Sequence, residues 1–280
     1  DWYFRGINEL RAVSVFNLIV RAVSFAGVLI LVHGPGDALL ILQINGVVTL
    51  AMGLTVFVAC SRRVGCARPR WSWWRVDFES LWHNGLTGLL NTFSRQGHLF
   101  VIRQFLDAPA FAVYGVAFKI VISAYAVLSA LPQTIFSHMG DKVEDRARFA
   151  RWLRNFLLGN VAVYLAAALA LILGAPLLLR VLDIADEPAL FVAVLRRQPV
   201  MLACAGVTTV LSATFGVLTS RERIQFYTLL AATVVMAGYL VWLWRSQAAP
   251  VAYAWTLPVL EAVWAILLLR AYLKYRKMPA

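Results

Sequence analysis

Charged residues are scarce in this chain of 280 residues: 14% of its side chains are charged, whereas 61% are hydrophobic. Soluble domains contain roughly 25% charged and about 45–50% apolar residues, so the composition excludes a water-soluble globule. The apolar residues come in blocks of about 20, which is the length of helix that crosses the hydrocarbon core of a bilayer. The sequence therefore predicts an all-α, polytopic integral membrane protein.

Cysteines and enzyme signatures are also lacking. Three cysteines cannot build a disulfide framework. The four histidines show no metal-ligand spacing, and the chain contains no GxSxG sequence, no Walker A loop and no acidic pair. These absences predict a protein that is not an enzyme and that has neither a metal nor a cofactor. Without a P-loop, any transport would depend on an ion gradient, the substrate gradient or a partner.

Eight segments are long and apolar enough to be predicted as transmembrane helices. They are 13–32, 38–60, 79–106, 110–136, 152–179, 189–218, 226–244 and 251–269. Lys and Arg residues cluster in alternate connections, chiefly 61–77, 137–151 and 270–277, while the opposite connections contain only Arg245. The positive-inside rule then places both termini and the basic loops in the cytoplasm. The net charge of +12 is thus explained by topology, and we expect no nucleic-acid partner.

A basic linker at 61–78, rich in Arg and Trp, divides the chain unevenly. Its composition is typical of a segment at the membrane interface. Residues 1–60 would form the last two helices of an incomplete N-terminal lobe, and 79–280 a C-terminal six-helix lobe with a cytoplasmic tail. The chain opens without Met and without a signal peptide, so we expect it to be a piece of a longer protein.

The third predicted helix is the least hydrophobic. Asn84, Asn91 and His98 recur every seven residues, so each aligns within about 20° of the one before it on a helix of 3.6 residues per turn. Ser94 and Arg95 flank that line. A face this polar is not expected to contact lipid, and it predicts either a water-filled cavity or neighbouring polar helices.

Ionisable side chains are rare near the middle of the predicted spans: they are Arg21, Arg95, Lys119 and Glu261. Each costs roughly 2.5–3.5 kcal/mol at a helix centre. Three cations against one carboxylate predict a cationic interior that attracts an anion, and guanidinium groups suit phosphate oxygens. The alternative is that Glu261 forms a salt bridge with one of the cations while the others snorkel. A role for Glu261 in ion coupling also stays open.

Three segments carry a family resemblance. Residues 1–10, DWYFRGINEL, are similar to a W-hydrophobic-F-x-G segment before the fifth helix of the family. Residues 111–120, FAVYGVAFKI, are similar to its V-G-x-Y-x-x-A-x-K-I pattern at the eighth helix. Residues 129–137, SALPQTIFS, resemble the stretch that closes that helix, although Pro132 stands earlier than the usual proline. The family is that of the O-antigen (Wzx-like) polysaccharide flippases, in the superfamily that also contains the multidrug and toxin extrusion antiporters.

The resemblance implies a transporter of two six-helix lobes, of which this chain would hold the fifth to twelfth helices. Such a protein moves an undecaprenyl-diphosphate-linked oligosaccharide across the bacterial inner membrane during assembly of O-antigen or another surface polysaccharide. Deep cations would bind the diphosphate, and amide, hydroxyl and imidazole groups the sugar. These candidate residues are Arg21, Asn84, Asn91, Ser94, Arg95, His98 and Lys119. The implied partners are the lipid-linked substrate, the bilayer, and the polysaccharide polymerase with its assembly proteins.

Other functions remain open on the sequence. A drug or cation antiporter of the same fold should line its cavity with carboxylates, and only Glu261 is available. A non-transporting scaffold of a polysaccharide assembly complex has no need of the polar face of the third helix. An inactive truncated remnant would keep that face.

The charge distribution makes a topological prediction. A reporter that is active only outside the cytoplasm should be silent when it is fused after Arg70 or Asp145, because both sites lie in basic connections. A fusion within 245–250 serves as the positive control. Reporter activity at either basic site would refute the orientation.

Overall fold

The computed structural model describes residues 19–20, 22–24, 26–27, 30–31, 38–64, 82–83, 85–136, 146–182, 184, 187–215 and 222–276. Regular structure within these ranges is helical throughout, with no strand. The chain divides into two compact units, Asp1–Trp74 and Arg75–Ala280. The boundary between the units falls inside the basic linker predicted at 61–78.

The first unit contains helix α1, Ala38–Val64. Its last turn carries Arg62 and Arg63, whose positive charges suit the negative end of the helix dipole. The described residues between 19 and 31 are also helical. Gly27 lets this segment approach α1 closely, since a Cβ atom there would lie 3.0 Å from Cγ2 of Ile44.

The second unit is a bundle of helices. Helix α2 comprises the helical residues 85–102 and includes a π turn at Phe93–Gly97. The following helices are α3 Ala108–Phe136, α4 Arg146–Val181, α5 Pro188–Arg197, α6 Val200–Ala213, α7 Glu222–Arg245 and, after a 3₁₀ turn at Pro250–Trp255, α8 Thr256–Arg276.

Six stretches of the described residues are long and apolar enough to cross a membrane, which confirms a multi-pass helical membrane protein by length and composition. They are Gly46–Arg63, Ala108–Pro132, Phe149–Val181, Pro188–Ala213, Glu222–Arg245 and Pro250–Lys274. The predicted span 13–32 lies largely outside the described residues. The predicted span 79–106 is helical at its described residues up to 102, ends in a turn at 103–106 and is not among the six.

The span predicted as one helix at 189–218 is divided in the structure. Pro199 lacks a backbone N–H and stands at the break between α5 and α6. At the break, Nε2 of Gln198 donates a hydrogen bond to the hydroxyl of Tyr114 over 3.3 Å. That hydroxyl donates in turn to the carbonyl oxygen of Tyr253 over 3.2 Å. The broken helix is thereby tied to α3 and to the 3₁₀ turn.

Helix α6 lies at the centre of the second unit. It packs mainly against α4 and α8, and α8 packs against α7. Leu202, Ala205 and Leu211 are fully buried, as expected for a helix that is apolar on all sides. Close packing with α4 is possible because of Gly206, whose carbonyl oxygen accepts a 2.7 Å hydrogen bond from Nδ2 of Asn160.

Gly206 and Gly238 should respond oppositely to alanine. A Cβ atom at Gly206 would lie 3.0 Å from Cα of Val161 and 3.1 Å from Cβ of Tyr164, so Gly206→Ala must push α6 and α4 apart. We expect a loss of about 1–3 kcal/mol in stability. Gly238 has nothing within 4 Å of that position, so Gly238→Ala should stabilise α7 by up to about 1 kcal/mol. Melting temperatures of the purified variants in detergent test this, and equal shifts would contradict it.

Candidate functional site

The polar face of α2 points into the second unit. Ser94, Arg95 and His98 are buried, and Asn91 is half-buried. The Ser94 and Thr233 hydroxyls are 2.7 Å apart and join α2 to α7. Of the two environments that the sequence allowed for this face, the described residues place it against neighbouring helices. The predicted contacts of these side chains with a sugar therefore stay a prediction.

A buried ion pair lies at the centre of this face. The Arg95 guanidinium contacts Oε1 of Glu261 on α8, and the two residues are 6% and 0% exposed. The other carboxylate oxygen accepts a 2.8 Å hydrogen bond from the hydroxyl of Thr208 on α6. Three helices thus meet at one carboxylate. An ion pair without access to water is costly unless its remaining lone pairs and protons are also satisfied, which explains why Thr208 belongs to the site.

Arg95 is held by further contacts that do not involve Glu261. Its Nε donates a 2.8 Å hydrogen bond to Oδ1 of Asn91, one turn earlier on α2. The guanidinium carbon lies 4.1 Å from the centroid of the Tyr125 ring on α3, a cation–π contact. Its Nη1 is buried and has no hydrogen-bond partner in the described part of the chain. The guanidinium is therefore oriented by α2 and α3 and keeps one unused donor group.

The π turn at Phe93–Gly97 interrupts the regular 3.6-residue period of α2. A π turn contains more residues than an α turn, so seven residues across it cover fewer turns than the roughly 1.9 that they cover on a regular α-helix. Asn91 precedes this turn and His98 follows it, so their predicted alignment, which assumes a regular α-helix, stays a prediction. Within this turn, the Ser94 Oγ lies 2.6 Å from the carbonyl oxygen of Leu90, to which it can donate, and 2.7 Å from the Thr233 hydroxyl.

His98 is part of the packing. Its Nδ1 lies 3.2 Å from the carbonyl oxygen of Ser94, and its ring meets the ring of Phe118 edge to face at 5.5 Å. Its Nε2 is buried and has no hydrogen-bond partner among the described residues. These contacts fix α2 against α3. No group of three His, Cys, Asp or Glu side chains able to hold a metal ion occurs in the described ranges.

Lys119 is placed differently from Arg95. Its side chain is exposed on α3, and it forms no ion pair within the described residues. It lies 11 residues after Ala108, or about 17 Å along a helix that rises 1.5 Å per residue. This depth is close to the middle of a bilayer whose hydrocarbon core is about 30 Å thick. Lys119 is thus an exposed cation near the middle of the candidate span Ala108–Pro132.

Other exposed polar side chains accompany Lys119 on α2 and α3, and the sequence interpretation missed them. They are Thr92, Gln96 and Ser123. In contrast, every exposed side chain within 156–179 of α4 and within 229–244 of α7 is apolar. The four-residue spacing of Thr92 and Gln96 indicated a second polar line on α2, beside the seven-residue line of Asn84, Asn91 and His98.

A cleft of about 460 Å³ lies elsewhere in the second unit, between the starts of α3, α5 and the 3₁₀ turn. It is lined by Asp107 and Glu187 together with apolar residues such as Phe105. The Asp107 carboxylate accepts a 3.0 Å hydrogen bond from the backbone N–H of Ala110, so it caps α3. None of the predicted site residues lines this cleft.

The structure therefore brings together Asn91, Arg95 and Glu261, and it places Lys119 apart from them on an exposed surface. Arg21 and Asn84, which were also predicted for the site, lie outside the described residues. Comparison of the chain with family models, with curated proteins and with solved structures gives no match.

The ion pair predicts a characteristic pattern of stability. Arg95→Ala should cost roughly 3–5 kcal/mol, because it leaves the buried Glu261 carboxylate without its counterion. Adding Glu261→Gln should recover much of this loss, since a neutral amide can still accept from Thr208. Membrane abundance and melting temperature of the single and double variants provide the measurement. A double variant that is less stable than Arg95→Ala would show that the pair is not coupled in this way.

Proposed function

We propose that this chain belongs to a transporter that flips an undecaprenyl-diphosphate-linked oligosaccharide across the bacterial inner membrane during assembly of O-antigen or another surface polysaccharide. Lys119 is the observation that carries the proposal. A lysine facing lipid at this depth would cost roughly 2.5–3.5 kcal/mol. Its exposed surface on α3 is therefore better matched to water than to acyl chains. A cation on a water-lined surface within the membrane attracts an anionic substrate.

The distribution of exposed polar residues supports a pathway along α2 and α3. The exposed side chains within 156–179 of α4 and 229–244 of α7 are apolar, whereas α2 and α3 expose Thr92, Gln96, Lys119 and Ser123 among apolar side chains such as Phe93 and Val127. A diphosphate linked to sugars needs both kinds of group: a cation for the phosphate and hydroxyl or amide groups for the sugar. Thr92 and Gln96 are exposed in this structure, whereas binding by Asn91, Ser94 or His98 would require α2 to turn its buried face outward.

The charge balance favours an anionic cargo over a cationic one. A drug or cation antiporter needs carboxylates on its pathway. The one carboxylate within the described membrane spans, away from their ends, is Glu261, and Arg95 already neutralises it. A scaffold or an inactive remnant does not need a cation on a transport pathway. Replacing Lys119 should therefore reduce export only if the protein is a transporter.

The finer parts of the proposal follow from the sequence. They comprise eight spans in this chain, the fifth to twelfth helices of a two-lobe, six-plus-six architecture. Both termini of the chain would be cytoplasmic, as the basic connections indicate. The partners would be the lipid-linked saccharide, the surrounding bilayer, and the polymerase and assembly proteins that use the flipped product.

Lys119 provides the functional test. In the full-length protein, Lys119→Ala should reduce polysaccharide export roughly tenfold or more, because a charge-assisted contact contributes about 1.5–3 kcal/mol. Lys119→Arg should keep most of the activity. Membrane abundance should not change, since Lys119 is exposed and forms no ion pair within the described residues. Export is scored by complementation of a strain that lacks its own flippase.

Arg180→Ala is the matched control, because Arg180 is also exposed but lies in the last turn of α4. It should export normally. Full export by Lys119→Ala would refute the proposed role, and loss of drug resistance without loss of export would favour the antiporter.

A further inference from the structure

Glu261 occupies the position that a phosphate group would take on Arg95. Arginine binds carboxylates and phosphates through the same planar set of N–H donors. In this structure Oε1 of Glu261 contacts one of these nitrogens, Nη2, and Thr208 holds the carboxylate in place from α6. Arg95 is therefore not a vacant anion site. It is an anion site that already contains an anion of the protein.

The guanidinium would stay in place if Glu261 moved away. Asn91 binds its Nε, and the Tyr125 ring stacks on its carbon atom. Its Nη1 has no hydrogen-bond partner among the described residues although it is buried. An incoming anion with more oxygen atoms than a carboxylate could bind two donors: Nη2, which Glu261 would release, and Nη1, which Glu261 does not contact.

We propose that Glu261 is a specificity-determining residue, an internal competitor for Arg95 that a diphosphate displaces and a singly charged lipid phosphate does not. This inference rests on the function proposed above. A tethered carboxylate acts at a high effective concentration, so a free anion of equal charge gains nothing by replacing it. The two charges and additional oxygens of a diphosphate give it the advantage. Bulk anionic phospholipids, which carry one charge, are thereby kept off the site.

Exchange at Arg95 also has a structural consequence. The ion pair joins α2 to α8, whereas the Asn91 and Tyr125 contacts keep the guanidinium with α2 and α3. Because Glu261 is fully buried, a diphosphate reaches Arg95 only when α2 moves away from α8. The π turn is the irregular part of α2, and it contains Arg95 itself. Binding of the correct headgroup is in this way coupled to separation of two helices.

The test measures how a bulk lipid competes with a diphosphate lipid. The purified full-length protein is placed in phosphatidylcholine nanodiscs with and without phosphatidylglycerol, and binding of fluorescent undecaprenyl diphosphate is titrated. Wild-type protein should bind this probe with a Kd that changes less than about twofold when phosphatidylglycerol is added. Glu261→Gln should bind the probe about tenfold more tightly than wild type in phosphatidylcholine alone. Adding phosphatidylglycerol should weaken the affinity of this variant for the probe about tenfold.

A second variant keeps the test decisive if Glu261→Gln does not fold. Thr208→Val removes the hydroxyl that holds the carboxylate and leaves the charge of the site unchanged, so it should show the same two effects at about threefold. Thr209→Val is its matched control: the Thr209 hydroxyl donates to the carbonyl oxygen of Ala205 and accepts from Asn160, and neither hydrogen bond involves Glu261. This control should behave like wild type.

The outcomes separate this inference from the function on which it rests. If wild-type protein binds the diphosphate probe but Thr208→Val and Glu261→Gln change neither its affinity nor its sensitivity to phosphatidylglycerol, Glu261 is a structural partner of Arg95 and the inference is wrong. If wild-type protein does not bind the probe in either lipid mixture, the proposed function itself fails, and the inference fails with it.

Discussion

The ion pair between Arg95 and Glu261 is the interaction on which the second unit depends. Removing two charges from water is costly. The cost is reduced because Thr208, Asn91 and Tyr125 each contact one of the two groups. Since these residues come from four helices, satisfying the pair requires α2, α3, α6 and α8 to be assembled together. The polar site and the helix arrangement therefore stabilise each other.

A membrane-spanning unit that was built only for stability would not need this pair. Well-packed apolar side chains of similar volume often serve as well as a buried ion pair or better. The unused donor of Arg95 and the π turn at the same residue are features that apolar packing would avoid. In the proposed transporter, these features make α2 the part that would move.

Lys119 and Arg95 were grouped by the sequence as two similar deep cations, and the structure separates them. Arg95 is neutralised inside the unit, while Lys119 is exposed on α3, one turn before the exposed Ser123. The two therefore have different tasks in the proposed transporter. Lys119 meets the anionic headgroup on the surface of the pathway, and Arg95 becomes available when α2 leaves α8. In the proposed pathway, Lys119 would therefore be available first and Arg95 second.

The lengths of the helical spans, their apolar composition and the position of each residue along them were determined by the sequence alone. A stretch of about 20 apolar residues is a local property, so the helical spans at α3, α4, α7 and α8 could be read without a fold, as could the rarity of charge within them. Which side chains contact one another was decided only by the tertiary structure. Which cation meets Glu261, where α2 takes its π turn, and whether a polar side chain faces inward or outward depend on neighbours that are distant in the chain. Local periodicity contains no information about those neighbours, because contacts between helices are selected by packing and by the cost of leaving a buried charge unpaired.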